Sequence, residues 1–122
     1  MSDKKSILSE KSFLFALEVI KLYKDIISRK KEYIMSKQLL RSGTSVGANI
    51  REAQNAQNAA DFIYKLYIAQ KECDETSYWL ELLYESEFLT EAKFREFDAA
   101  GTGTLKMLKS AILTTKQKIH NP

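Results

Sequence analysis

The chain has 122 residues, of which 44% are hydrophobic and 29% charged, and its formal net charge is +3. This composition is typical of a globular domain that can bury a core, and it excludes intrinsic disorder. The single cysteine excludes an intrachain disulfide and predicts a reducing, cytoplasmic compartment. No apolar run approaches the roughly 20 residues that cross a bilayer, so no membrane contact is expected.

Helical spacing of apolar residues predicts a first helix over residues 9–28. Its apolar residues form two neighbouring stripes, which together cover more than the arc of an ordinary surface helix. The first stripe is Phe13, Ala16, Leu17, Ile20, Tyr23 and Ile27, and the second is Phe15, Val19, Leu22 and Ile26. A basic run, Arg29–Lys31, fits the end of this helix, where exposed carbonyl groups favour cations.

A second helix is predicted over residues 34–57, and its middle is rich in small and polar residues. Gly43 and Gly47 lie four residues apart on one face, although each glycine costs about 1 kcal/mol against alanine inside a helix. We expect them where two backbones come close or where the helix bends. The alternative is a loop at residues 43–45 that splits the segment, with Ser45 capping a new helix.

Four polar residues of this helix are spaced by 4, 4 and 3 positions and therefore share one face: Arg41, Ser45, Asn49 and Glu52. Buried polar groups need partners, so this face predicts an internal hydrogen-bond network that fixes the helix register. A contact to a ligand or to nucleic acid is the alternative.

The remaining sequence predicts a third helix over residues 59–86 and a fourth over 91–119. Both carry apolar seams with alternating spacings of 3 and 4. Thr90 is the expected cap of the fourth helix, and a kink is expected near Gly101 and Gly103. Because the connections are short, successive helices should be antiparallel. The prediction is a single all-α domain, an antiparallel up-down-up-down four-helix bundle over residues 1–122.

More apolar surface is present than one bundle would bury. We expect the surplus to form an exposed patch used in self-association or in binding a partner protein. Its candidate residues are Phe15, Tyr64, Tyr78, Trp79 and Phe88. The alternative is that this small bundle buries unusually wide arcs.

Catalytic machinery is not recognisable. The only histidine is His120, close to the C-terminus, and no glutamate precedes it at the spacing used in di-iron bundles. Cys73 lies on the core seam and is expected to be a buried, inert thiol. We therefore expect no enzyme activity, metal, cofactor or small-molecule substrate.

Charge is unevenly distributed along the chain. Residues 1–31 carry eight Lys/Arg against four Asp/Glu, residues 59–87 carry two against seven, and residues 88–122 carry six against three. Helices 1 and 4 should be neighbours, so their cations could merge into one strip that holds the phosphates of RNA or DNA. The candidates are Lys21, Lys24, Arg29, Lys30, Lys31, Lys106, Lys109, Lys116 and Lys118. Solubility and helix-dipole compensation are the alternative.

A resemblance to a known family covers residues 10–119. It is carried by Leu40-Arg41-Ser42, Ser45, Asn49-Ile50 and Glu52, followed by Phe62, Leu66, Ile68-Ala69, Glu72, Glu75-Thr76 and Trp79-Leu80. This pattern resembles the 23S rRNA intervening-sequence proteins, which are four-helix bundles without an established biochemical role. Ala53-Gln54 departs from it, since many members have glycine after the glutamate, and Gly101 and Gly103 are atypical.

A related branch implies more about function. The accessory variability protein of diversity-generating retroelements looks like a pentameric barrel of such bundles, and it binds a reverse transcriptase and nucleic acid. The resemblance therefore implies a homo-oligomer, with a pentamer favoured, and a nucleic-acid-associated role.

Overall fold

Four long helices make up the protein. The computed structural model describes the backbone of residues 3–121 and the side chains of residues 7–121. Helix α1 spans Asp3–Asp25 and continues into a π-helical turn, Ile26–Lys30; α2 spans Met35–Gln54, α3 spans Ala59–Glu85 and α4 spans Glu91–His120. Within residues 3–121 there is no strand. The predicted all-α four-helix bundle is confirmed; the starts of α3 and α4 are as predicted, and the other helix ends differ by one to six residues.

The helices pack in the ring order α1, α2, α3, α4, and α4 returns to contact α1. Two core clusters, each built from all four helices, fill the two ends of the bundle. Leu8 of α1 and Ile112 of α4 belong to one cluster, and Ile26 and Phe97 belong to the other. Residues early in α1 thus lie beside residues late in α4, so these two helices are antiparallel.

Helix α1 uses its second apolar stripe, not its first, as the core face. Val19 and Ile26 are essentially inaccessible, whereas Phe13 is 52% and Leu17 40% exposed. Phe15 is only 5% exposed, and its ring meets that of Phe97 edge-on, with 6.3 Å between centroids. Its predicted place in an exposed patch is therefore wrong. Both stripes have helical spacing, so periodicity alone could not show which one faces the core.

Small residues bring α1 and α2 close together. A β-carbon on Gly47 would lie 3.3 Å from the backbone oxygen of Ser12. Helix α2 is continuous through residues 43–45, so the alternative of a loop there is wrong and the close approach is the correct reading. Helix α4 also continues without a break through Gly101 and Gly103.

Side-chain caps begin the last two helices. Asn58 Oδ1 accepts a hydrogen bond from the Asp61 backbone N–H at 2.9 Å. Thr90 Oγ1 accepts one from the Lys93 N–H at 3.1 Å, as predicted. These bonds satisfy amide groups that have no partner within the helix.

Candidate nucleic-acid interface

The predicted basic residues form two clusters at opposite ends of the bundle. Lys106 lines the same groove as Leu8 of α1. Lys24 lies roughly 24 Å further along α1 than Leu8, at about 1.5 Å per residue. The prediction that the cations of α1 and α4 merge into one strip is therefore wrong, because it overlooked that antiparallel helices carry their C-terminal lysines to opposite ends.

The first group, the α4 cluster, consists of Lys106, Lys109, Lys116 and Lys118. All four side chains are exposed, and no acidic residue lies between Asp98 and the end of α4 at His120. Lys106 and Lys118 line the groove between α1 and α4. Lys116 lies on the other flank, where its Nζ donates to the Tyr67 hydroxyl of α3 and sits 5.0 Å from the centre of that ring.

The second group, the loop-end cluster, consists of Arg29, Lys30, Lys31 and Lys37 around the α1–α2 connection. Arg29 pairs with Asp25 at 2.8 Å. The three lysines are exposed and make no ion pair within the described part of the chain. Nearby on α1, Lys21 pairs with Glu18 at 3.2 Å and Lys24 is exposed. The predicted cations of α1 thus extend from its last turns into this connection.

The one acidic residue of the connection points inward. Glu32 is 9% exposed, and its carboxylate accepts hydrogen bonds from the backbone N–H groups of Ile34, Met35 and Ser36 at 2.7–3.0 Å. Burial raises the pKa of this carboxyl group, but the bonds from Met35, Ser36 and Ile34 outweigh it, so the pKa lies below its ordinary value of 4.5. Glu32 therefore caps α2 as an anion.

The predicted polar face of α2 does not form one internal network. Ser45 Oγ donates to the Arg41 carbonyl at 2.7 Å, and Asn49 Nδ2 donates to the Ser45 carbonyl at 2.9 Å. Arg41 instead reaches α3, where it pairs with Glu72 at 3.1 Å and with Glu75, and Glu52 pairs with Lys65 at 3.1 Å. The face is partly exposed because the core lies one position further round the helix.

A buried polar contact between α2 and α3 was not predicted from the sequence. Thr76 Oγ1 donates to Ser42 Oγ at 2.9 Å, and both residues are buried. Ser42 lies beside Gly43 on the core side of α2. It is next to Arg41 in the sequence but does not belong to the polar face. Only a register for α3 against α2 could have revealed the pair.

The surplus apolar surface lies mainly on α1. Tyr64 and Tyr78 are exposed on α3, but Trp79 and Phe88 are partly buried against the core, and with Phe15 internal the predicted aromatic patch is not continuous. Phe13, Leu14 and Leu17 instead lie side by side on the outer face of α1 and are each at least two-fifths exposed. The guanidinium of Arg51 lies 6.0 Å from the centre of the Phe13 ring.

The groups that could perform chemistry are not assembled into a site. Cys73 is buried, and desolvation, with smaller contributions from Asp74 and Glu72, raises the pKa of its thiol to about 12. A thiol held protonated in this way is a poor nucleophile. His120 is exposed in the last turn of α4. Across the described side chains, no three His, Cys, Asp or Glu residues come together in a way that could hold a metal ion.

None of the helices, as far as their residues are described, combines the length and apolarity needed to cross a membrane.

No curated protein matches the sequence. Among the solved structures that are similar is a protein of unknown function from the S23 ribosomal protein family of Bacteroides thetaiotaomicron VPI-5482. It shares 50% sequence identity, with a TM-score of 0.88, over 89% of this chain and 97% of that one.

A family model matches as well. The model of the 23S rRNA-intervening sequence proteins covers residues 4–110, which include α1 from its second residue, all of α2 and α3, and the first two-thirds of α4. The four-helix fold, the match to the family model and the similar solved structure all indicate the same family. The chain belongs to the 23S rRNA-intervening sequence protein family.

Proposed function

We propose that the protein is a non-catalytic, oligomeric, cytoplasmic protein that binds nucleic acid through phosphate contacts. The observation that carries this proposal is the α4 cluster, in which four exposed lysines follow one another with no acidic residue among them. Lysines on a helix surface that lacks compensating carboxylates attract a polyanion without reading its sequence. The family description, which names an intervening sequence of 23S rRNA, supports an RNA or the corresponding DNA as the polyanion.

Salt dependence tests the proposal, because phosphate contacts release counterions. Fluorescence anisotropy with labelled RNA and DNA is measured between low and physiological salt. We expect the logarithm of the binding constant to fall linearly with the logarithm of the salt concentration. The double variant Lys106→Glu/Lys109→Glu should weaken binding and flatten this slope by about 0.7–0.9 per lost contact.

A matched control separates a local contact from a net-charge effect. Lys71→Glu/Lys93→Glu makes the same change in net charge at exposed positions outside the α4 cluster, so it should leave the slope close to that of the parent protein. Equal losses in both double variants, or no binding by the parent protein at low salt, would contradict the proposal.

A second candidate function is self-association, and it is favoured by the exposed apolar face of α1. Glu10 precedes Leu17 by the same number of residues as Lys24 follows it, on the same outer face. A second copy of α1, packed antiparallel, would therefore place each glutamate against the partner's lysine and cover Phe13, Leu14 and Leu17. This complementarity of the face to itself supports a second copy of the chain as its partner.

Solution mass, measured by light scattering over a range of concentrations, tests self-association. We expect a parent oligomer that Leu17→Glu shifts to the monomer. Glu10→Lys and Lys24→Glu should each weaken the pair, and together they should restore it. A parent monomer would contradict self-association. A larger ring, such as the pentamer that the resemblance implies, would support the oligomer but contradict the antiparallel pairing.

A further inference from the structure

The α1–α2 connection exposes two large side chains between cations. After the π-helical turn Ile26–Lys30, Lys31 adopts a left-handed conformation with φ of 56°. The next residue, Glu32, turns inward to cap α2. Tyr33 and Ile34 are then left 57% and 78% exposed, and neither belongs to a core cluster. Their exposure is not explained by packing within the bundle.

The inward turn of Glu32 determines the charge of this surface. In the sequence the glutamate stands among the four cations of the loop-end cluster, and it would offset part of their charge if it faced water. Its carboxylate instead accepts hydrogen bonds from three backbone amides. The outer surface of the connection therefore presents the loop-end cluster together with the Tyr33 ring and no opposing carboxylate of its own, apart from the Asp25 that pairs with Arg29.

We propose that Tyr33 is a stacking site for an unpaired base of single-stranded nucleic acid, whose adjoining phosphates are held by Lys30, Lys31 and Lys37. An exposed aromatic ring stacks on any base because every base has a π-face, and flanking lysines follow the backbone. Lys31 precedes Tyr33 by two residues, so at most about 7 Å of chain separates them. This inference rests on the proposed nucleic-acid function and specifies which form of nucleic acid this end of the bundle binds.

The geometry favours a single strand over the other partners of a basic, partly apolar surface. In a duplex the base faces are already stacked, so one protruding ring finds no free face. A membrane surface is bound by amphipathic helices with long apolar faces. Here only two adjacent apolar side chains protrude, and the helix that follows turns Ser36 and Leu39 into the core.

Anisotropy with one labelled sequence, offered as single-stranded RNA, single-stranded DNA and duplex, tests the inference. Tyr33→Ala should weaken binding of the single strands roughly 5- to 150-fold, the loss of one base–aromatic stack, and should leave duplex binding unchanged. Tyr33→Phe keeps the ring and should bind nearly as the parent protein does, whereas Tyr33→Leu keeps the bulk and should bind as poorly as the alanine variant.

Tyr64→Ala is the matched control, because Tyr64 is equally exposed but lies in the first turns of α3, at the opposite end of the bundle. If Tyr33→Ala binds single strands as well as the parent protein, the stacking site is wrong and the nucleic-acid function stands. If the parent protein binds no nucleic acid, both fail. Binding of anionic phosphatidylserine vesicles that depends on Tyr33, without strand binding, would overturn the inference in favour of a membrane. Circular dichroism verifies that each variant is folded.

Discussion

Gly43 of α2 leaves the space that Val19 of α1 occupies: a β-carbon on this glycine would lie 2.9 Å from both γ-carbons of the valine. Val19 is completely buried, and a β-branched side chain has little freedom to rotate away. The close packing of the first two helices therefore depends on a missing side chain.

Gly43→Ala should lower the free energy of unfolding by about 1–3 kcal/mol, because overpacking outweighs the gain in helix propensity. Gly103→Ala is the control, since a β-carbon there has no neighbouring atom within 4 Å, and it should raise the free energy of unfolding by about 1 kcal/mol. Urea titration of both variants measures the difference. Equal stabilities would contradict the close contact, and adding Val19→Ala to Gly43→Ala should recover part of the loss.

Glu32 should make the fold sensitive to acid. Because its pKa is lower in the folded protein than its ordinary value of 4.5, its stabilising effect is complete above about pH 4.5 and is lost as the pH falls through the folded pKa. Glu32→Gln should lower the free energy of unfolding at pH 7 by about 0.5–2 kcal/mol and reduce its change below pH 4.5. Urea titrations from pH 3 to 7 measure this, with Glu81→Gln, at an exposed position of α3, as control. An unchanged acid profile would contradict the capping role.

Arg41 should matter more for stability than an ordinary surface cation. Arg41→Met leaves the buried Glu72 without its ion-pair partner and should lower the free energy of unfolding by about 1–2 kcal/mol, a figure that allows for the half-exposed arginine. Lys21→Met removes an exposed pair and should change it by less than about 1 kcal/mol. If Arg41 acts through Glu72, Arg41→Met should have a smaller effect in a Glu72→Gln background, and additive effects in denaturation would contradict the coupling.

Glu87 occupies a position that suits glycine. It follows the C-cap residue Ser86 of α3 and has φ of 68°. Its N–H donates to the Tyr84 carbonyl and that of Phe88 donates to the Leu83 carbonyl, the bonding pattern of a Schellman motif. Glu87→Gly should raise the melting temperature, because it relieves about 1 kcal/mol of left-handed strain. Glu81→Gly, at an exposed position inside the helix, should lower it by a similar free energy. A lower melting temperature for Glu87→Gly would contradict this account.

Periodicity was sufficient to predict the fold. Seams with spacings of 3 and 4 and short connections identified four helices and their antiparallel order, and the Thr90 cap was recognisable from its residue type. The start of α1 was placed six residues late, since Asp3–Leu8 contains few apolar residues beyond Ile7 and Leu8. Which of the two stripes of α1 faces the core could not be predicted, because each has helical spacing and only the packing of α2 and α4 distinguishes them.

The candidate sites were harder to predict than the fold, because they depend on the direction of each helix and on contacts between helices. The lysines of α1 and α4 were recognised as basic runs, yet their separation follows from chain direction rather than composition. Tyr33 was not singled out, because it lies between the two predicted helices over residues 9–28 and 34–57 and belongs to no apolar stripe. No periodic rule predicts that a single glutamate turns inward to bind three amides.

The burial of Cys73 makes the chain convenient to label. The sole thiol is enclosed by the core, and burial raises its pKa to about 12. It should therefore not react with maleimide reagents as long as the bundle stays folded. A cysteine introduced at the exposed, uncrowded position 103 would then be the one reactive group, and a fluorophore attached there would report on partners without any change to the native cysteine.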